Sequence, residues 1–378
     1  MRVDRFSWTA AEGWRARPDP AADLVLYFGP RPILEEGGFF AGLRARYPNA
    51  RIAGCSSGGQ ICGDDVEDDR LAGVAVAFDA ARVKLHATRI AGAADSRRCG
   101  GEIGEALRGD GLAGVLLLSD GLNVNGSDLA AGLVEAVGAA VPVSGGLAGD
   151  GPHFSRTLVG ADAAPAEKRV AAIGFYGDRL RIGHGNAGGW SVFGPRRVMT
   201  KAQGNVLYEL NGEKALDLYE RYLGPEDSKD LPGSALLYPL RIGDPRHPDH
   251  DVVRTVLSID RQAGSMTFAG NMPEGWSAQL MRGHPDRLVA GASAAAQQAR
   301  LADEMSGSAL ALMVSCIGRR LLMGQSVVGE VEAASEALGD GYQKLGFYSY
   351  GEISPHRVTG RSVLHNQTMT VMTLAEAA

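Results

Sequence analysis

Short apolar runs that stop abruptly at glycine leave this chain few ways to fold. "DLVLYF" ends at Gly29-Pro30, "ARIAG" runs into Cys55, and "GVLLLSDG" and "SALALMVSCIG" end in polar groups or glycine. Runs of this length, bounded by turn residues, read as buried strands. "VPVSGGLAGDG" reads as a strand entering a glycine-rich loop, and "RVAAIGFYGDRLRIGHG" as a hairpin turning at Gly177-Asp178. Helical segments alternate with them. Residues 33–46 are one, weakened by Gly37-Gly38; residues 101–108 are another. In "SDLAAGLVEAVGAA", Ser127 is the expected N-cap, and Leu129, Leu133 and Val137 share a face. The pattern predicts an α/β (α+β) fold with mixed β-sheets flanked by helices.

A chain of 378 residues has two domains as its natural expectation. The texture changes after Trp190. "VMTKAQGNVLYELNGEKALDLYERYLG" predicts two strands and a helix from about Asn211-Gly212, and "DVVRTVLSIDRQAGSMTFAG" a hairpin turning at Gln262–Gly264. A boundary near residues 190–200 gives domains of 20–195 and 196–375. The net charge of −6 and isolated basic pairs such as Arg319–Arg320 argue against nucleic acid, which needs clustered positive charge. No apolar run reaches the roughly 18 residues of a membrane span, and the N-terminal stretch has no apolar core of a secretory signal. Cysteines at 55, 62, 99 and 316 are too sparse for a disulfide framework, so a reducing cytoplasm is expected.

Seven segments carry candidate chemistry. "GCSSG" matches the G-x-S-x-G nucleophile elbow, with Ser56 as nucleophile and Cys55 as the alternative. The polar, glycine-rich "GQICGDD" that follows does not start a helix, which favours a tight turn with Ser56 and Ser57 bonded to backbone. In "SGGLAGDG", Gly146 and Asp150 belong to a loop that either binds a ligand or simply turns. His247 and His250 stand beside aspartates, but Pro248 separates them and favours a solvated loop over a metal site. His184, flanked by glycines and followed by Trp190, is a candidate haem ligand or a backbone-bonded loop histidine. "FYSYGEISP" and "SVLHNQTMT" are strand-like yet crowded with polar groups. Alternation puts Tyr348, Tyr350 and Glu352 on one side. His365 shares a face with Gln367, and Asn366 with Thr368. With Cys316, Arg319 and Arg320 at the end of "SALALMVSCIGRR", they form either a pocket for a zwitterion or a buried network that fixes the sheet.

The order of "GCSSGGQI", "LLSDGL", "VPVSGGLAGDG", "GGW", the 198–224 segment, "SCIGRR", "FYSYGEISP" and "LHNQTMT" resembles the FIST sensory family over roughly residues 20–375. The resemblance implies an N-terminal and a C-terminal FIST domain that bind a small molecule such as an amino acid. It also implies output through a separate partner, a histidine kinase or a cyclic-di-GMP enzyme. A bacterial branch of the family is a haem-dependent nitric oxide sensor. From a different class, the residues leave open a hydrolase or transferase using Ser56, Cys55 or Cys316.

Overall fold

A computed structural model describes residues 1–36, 38–247, 249–301, 305 and 307–377. The apolar runs are buried strands, as expected. Leu24–Gly29 and Leu71–Ala77 are buried at every position, and so is Ala309–Cys316. They organise three mixed sheets of six strands each. Each sheet contains one parallel pair: Leu24–Gly29 with Arg51–Ser56, Leu112–Ser119 with Val143–Leu147, and Ala309–Cys316 with Tyr342–Ser349. Parallel neighbours need a crossover, and helices supply it. Gly38–Arg46 lies within the first connection, Gly126–Val137 within the second and Val328–Leu338 within the third. The fold class is α/β with helix-flanked mixed sheets.

Strands from both ends of the sequence share these sheets. Gly351–Pro355 pairs with Val143–Leu147, Met369–Glu376 with Leu180–Ala187, and Tyr342–Ser349 with Gln60–Cys62. The segment from Ser191 to Arg282 instead builds a fourth, nine-stranded antiparallel sheet. That sheet has its own core, centred on Met199, Leu207, Tyr219, Met266 and Phe268.

Two local details differ from the sequence reading. The cap of the Gly126–Val137 helix is Asn125, whose side chain accepts from the amides of Ser127 (3.1 Å) and Asp128 (3.3 Å). Ser127 is freed to accept from the Asn271 amide at 3.1 Å. "SVLHNQTMT" is not one strand. Ser362–His365 ends in the second sheet, Gln367 takes a left-handed φ of 63°, and Met369–Glu376 starts in the third. The break cancels simple alternation across residues 365–369.

Candidate functional site

In open α/β sheets, the crevice beyond the carboxyl ends of the strands is where ligands bind, because loops there can vary without disturbing the core. Here the carboxyl ends from all three sheets converge. Pro30 and Arg31 follow the strand ending at Gly29, and Ser57–Gln60 follow the one ending at Ser56. Asp150–His153 lie just past Leu147, and Ile317, Arg320 and Leu321 lie past Cys316. Together they line a cleft of about 450 Å³.

Backbone pairing holds the loops together. The Gly58 amide donates to the Tyr348 carbonyl (2.9 Å), the Tyr348 amide to the Gly59 carbonyl (2.9 Å), and the Gly149 amide to the Ser56 carbonyl (3.0 Å). Glycine keeps the walls close where they meet. A Cβ on Gly58 would sit 2.6 Å from Ile317 Cδ1. Gly59 has φ +135°, and a Cβ there would collide with the Arg320 guanidinium at 1.9 Å.

The charged groups differ in how fully they are partnered. Arg320 makes a two-pronged contact to Asp68 at 2.7 and 2.5 Å, donates to the Gly58 carbonyl, and lies 5.4 Å from the Tyr348 ring centre. Asp150 accepts from the Tyr350 hydroxyl, the Ser155 amide and hydroxyl (3.1 and 2.9 Å) and the Arg156 amide (3.0 Å). Burial pushes its pKa up, but the Tyr350, Arg156 and Ser155 bonds outweigh this and hold the carboxyl below its ordinary value. Asp150 is therefore an ionised hub that shapes the loop. Ser57 closes the floor, 2.5 Å from the Gln60 side-chain amide. Arg31 is different. Its buried Nε has no hydrogen-bond partner among the described residues: Asp150 lies 3.9 Å away, an ion-pair distance beyond hydrogen-bond reach, while Nη1 faces Glu35 at 3.5 Å.

Of the residues picked from the sequence, Ser57, Asp150 and Arg320 line this cleft. Ser56 and Gly146 are buried behind it, the Ser56 hydroxyl accepting from the Leu158 amide at 2.9 Å. The C-terminal group lies beneath the cleft as a hydrogen-bonded core. Arg319 is fully buried and bonded to Glu330 at 2.9 and 2.6 Å, while Tyr348 and Ser315 donate to the other Glu330 oxygen, each at 2.9 Å. Glu352 accepts from the Thr368 amide (3.0 Å) and hydroxyl (2.9 Å) and from Ser349 (2.9 Å). His365 Nε2 meets the Ser354 carbonyl at 3.2 Å. The space beside Gly318 is filled by the Gln367 side chain, which a Cβ would meet at 2.4 Å. Asn366 is the exception, with neither end of its buried amide meeting a partner among the described residues.

The nucleophile candidates are inward-facing. Cys55 and Cys316 are buried, and burial pushes both thiols well above their ordinary pKa. "GQIC" continues as the strand Gln60–Cys62, so no helix follows the elbow motif. His247 and His250 stack at 4.9 Å between ring centres, and among the described residues no three His, Cys, Asp or Glu side chains could together hold a metal; Pro248 lies outside those residues. The residues around His184 do not fit haem. Its side chain is exposed on an edge strand, and Cβ atoms on the adjoining Gly183 and Gly185 would meet the Ala299 and Ala295 carbonyls at 2.1 Å. The helix carrying those carbonyls covers the face opposite the imidazole. A haem needs an apolar slot around its axial imidazole, and the exposed side chain of His184 on an edge strand has none.

Arg31 was missed in the sequence. The available signal was an arginine between two prolines immediately past a buried strand, "LVLYFGPRP".

The comparisons agree with this architecture. A family model described as the FIST N domain matches residues 23–213, and the FIST C domain matches residues 215–355. No curated protein matches the chain. The chain belongs to the FIST family, whose domains bind small ligands in signal transduction. No helix among the described residues is long and apolar enough to cross a membrane.

Proposed function

We propose that the chain senses a small zwitterion of the amino-acid class in this cleft and passes the signal to a separate cytoplasmic partner of the histidine-kinase or cyclic-di-GMP type. The observation that carries the reading is the Arg31 Nε, buried at the cleft wall with no hydrogen-bond partner among the described residues. A buried donor left unmade is costly, and a ligand carboxylate completes it with a charge-assisted bond. Asp68, two-thirds exposed at the opposite wall, offers a carboxylate to the ligand ammonium. Residues of both family segments line the cleft, so the halves expected at 20–195 and 196–375 act together on one ligand.

Calorimetric titration of the amino acids, beside their decarboxylated and deaminated analogues, tests this. At least one amino acid is expected to bind, and Arg31→Ala to weaken it by about 10–100-fold, the worth of one hydrogen bond to a charged group. Unchanged affinity in Arg31→Ala, or no binding by any amino acid, would remove the reading.

A further inference from the structure

Arg254 sits where the 191–282 segment meets the rest of the molecule. It is 6% exposed, and its partners are all neutral. Nε donates to the Asn271 carbonyl (3.2 Å) and Nη1 to those of Val253 (3.0 Å) and Leu364 (3.1 Å); Nη2 donates to the Ser127 hydroxyl (3.3 Å). These contacts use four of the five guanidinium hydrogens and leave one on Nη2. Among the described residues no carboxylate pairs with it, unlike the buried Arg319, which has Glu330. Burial pulls the Arg254 pKa down to about 10, which leaves it charged at neutral pH. A buried cation without a counter-charge is strongly unfavourable, although carbonyl dipoles offset part of that cost.

Arg254 lines a second cavity of about 230 Å³. A second arginine, Arg361, lies on its exposed rim, 3.6 Å from Glu135. The remaining wall is largely apolar, with Trp276, Ile242, Val252 and Leu364. The cavity is smaller than the usual range for drug-sized ligands, so it suits a molecule of a handful of non-hydrogen atoms.

We propose that this cavity is a second ligand site, taking a small organic carboxylate. The carboxylate meets Arg254 and Arg361, and the apolar tail lies on Trp276 and Leu364. Because Arg254 and Trp276 come from the 191–282 segment while Ser127, Arg361 and Leu364 come from the rest of the molecule, occupancy ties the two together.

The test is calorimetric titration of the full chain with acetate, butyrate and benzoate, beside butyramide and benzamide, with the tryptophan fluorescence that Trp276→Phe removes as a second readout. Butyrate or benzoate is expected to bind and the amides not to. Arg254→Met is expected to weaken carboxylate binding more than tenfold, and Arg361→Gln several-fold. Should Arg254→Met fail to fold, Arg361→Gln and the amide comparison decide alone. Amides that bind as well as acids, or no carboxylate binding at all, would overturn the proposal. So would binding lost in Arg31→Ala and kept in Arg361→Gln, since that places the carboxylate in the other cleft.

Discussion

Arg319→Met is expected to destabilise the protein by about 3–5 kcal/mol, the usual consequence of removing one partner of a buried ion pair. Both side chains of the Arg319–Glu330 pair are fully buried. Without the guanidinium, Glu330 keeps only Ser315 and Tyr348 as neutral donors, each at 2.9 Å. The Leu288 carbonyl, which takes an Arg319 hydrogen at 2.8 Å, also loses its donor. Glu330→Gln is expected to be similarly severe, because the cation then has no counter-charge. The double variant Arg319→Met/Glu330→Leu should be less destabilised than the sum of the singles, since it leaves no orphaned charge. Denaturant midpoints of the four proteins measure this. Additive effects, or single variants within about 1 kcal/mol of wild type, would show that the pair is not the anchor described here. Binding should fall with stability, because the Tyr348 backbone carries the carbonyl that receives the Gly58 amide at the cleft.

The strands were legible because continuous apolar runs of six to eight residues have one inexpensive place to go, the middle of a sheet with both faces covered. "ALALMVSC" and "LAGVLLLS" carry that signal without help from elsewhere. Periodicity failed at residues 366–368, where the left-handed Gln367 passes the chain from one sheet to another. The polar crowd at the C-terminus was visible, but its purpose depended on Glu330. That residue looks like an ordinary helix-surface glutamate in "GEVEAASEAL" and is fully buried in the fold. The cleft was the least legible part. Its walls come from five segments separated by up to about 290 residues, and only the fold brings them together. Ser57 and Asp150 could be picked because glycine-rich loops announce close backbone approach. Arg31 stood alone, with nothing in its neighbourhood of sequence to mark its partner.

The largest pH effect is expected to stay hidden until one residue is changed. Glu352 and His365 are directly opposite one another across the Gly351–Pro355/Ser362–His365 pair. Burial raises the Glu352 carboxyl from 4.5 to about 7, against opposing hydrogen bonds from Thr368 and Ser349. Burial lowers His365 from 6.5 to about 3; the nearby His356 and Arg254 lower it further, and the Ser354 carbonyl opposes them. The folded state thus holds both groups neutral. Glu352 binds its proton more tightly folded than unfolded, so its contribution is present at low pH and is lost as pH rises from about 4.5 to 7. His365 binds its proton less tightly folded, so its contribution is present at high pH and is lost as pH falls from 6.5 to about 3. Between pH 4.5 and 6.5 the two slopes oppose, each about 1.4 kcal/mol per pH unit. Their sum is close to zero in wild type. Glu352→Gln keeps an acceptor for Thr368 and a donor for Ser349 but cannot titrate, so its stability should rise across that window by about 3 kcal/mol. His365→Gln should fall by a comparable amount over the same range. Asp150 does not confuse the reading, because its pKa is lowered and it titrates below the window. Denaturant midpoints measured at half-unit steps from pH 4.5 to 7 give the three curves directly. If Glu352→Gln and His365→Gln both track the wild-type curve, neither group is held neutral in the fold, and the buried polar core exchanges protons with solvent as an exposed surface does.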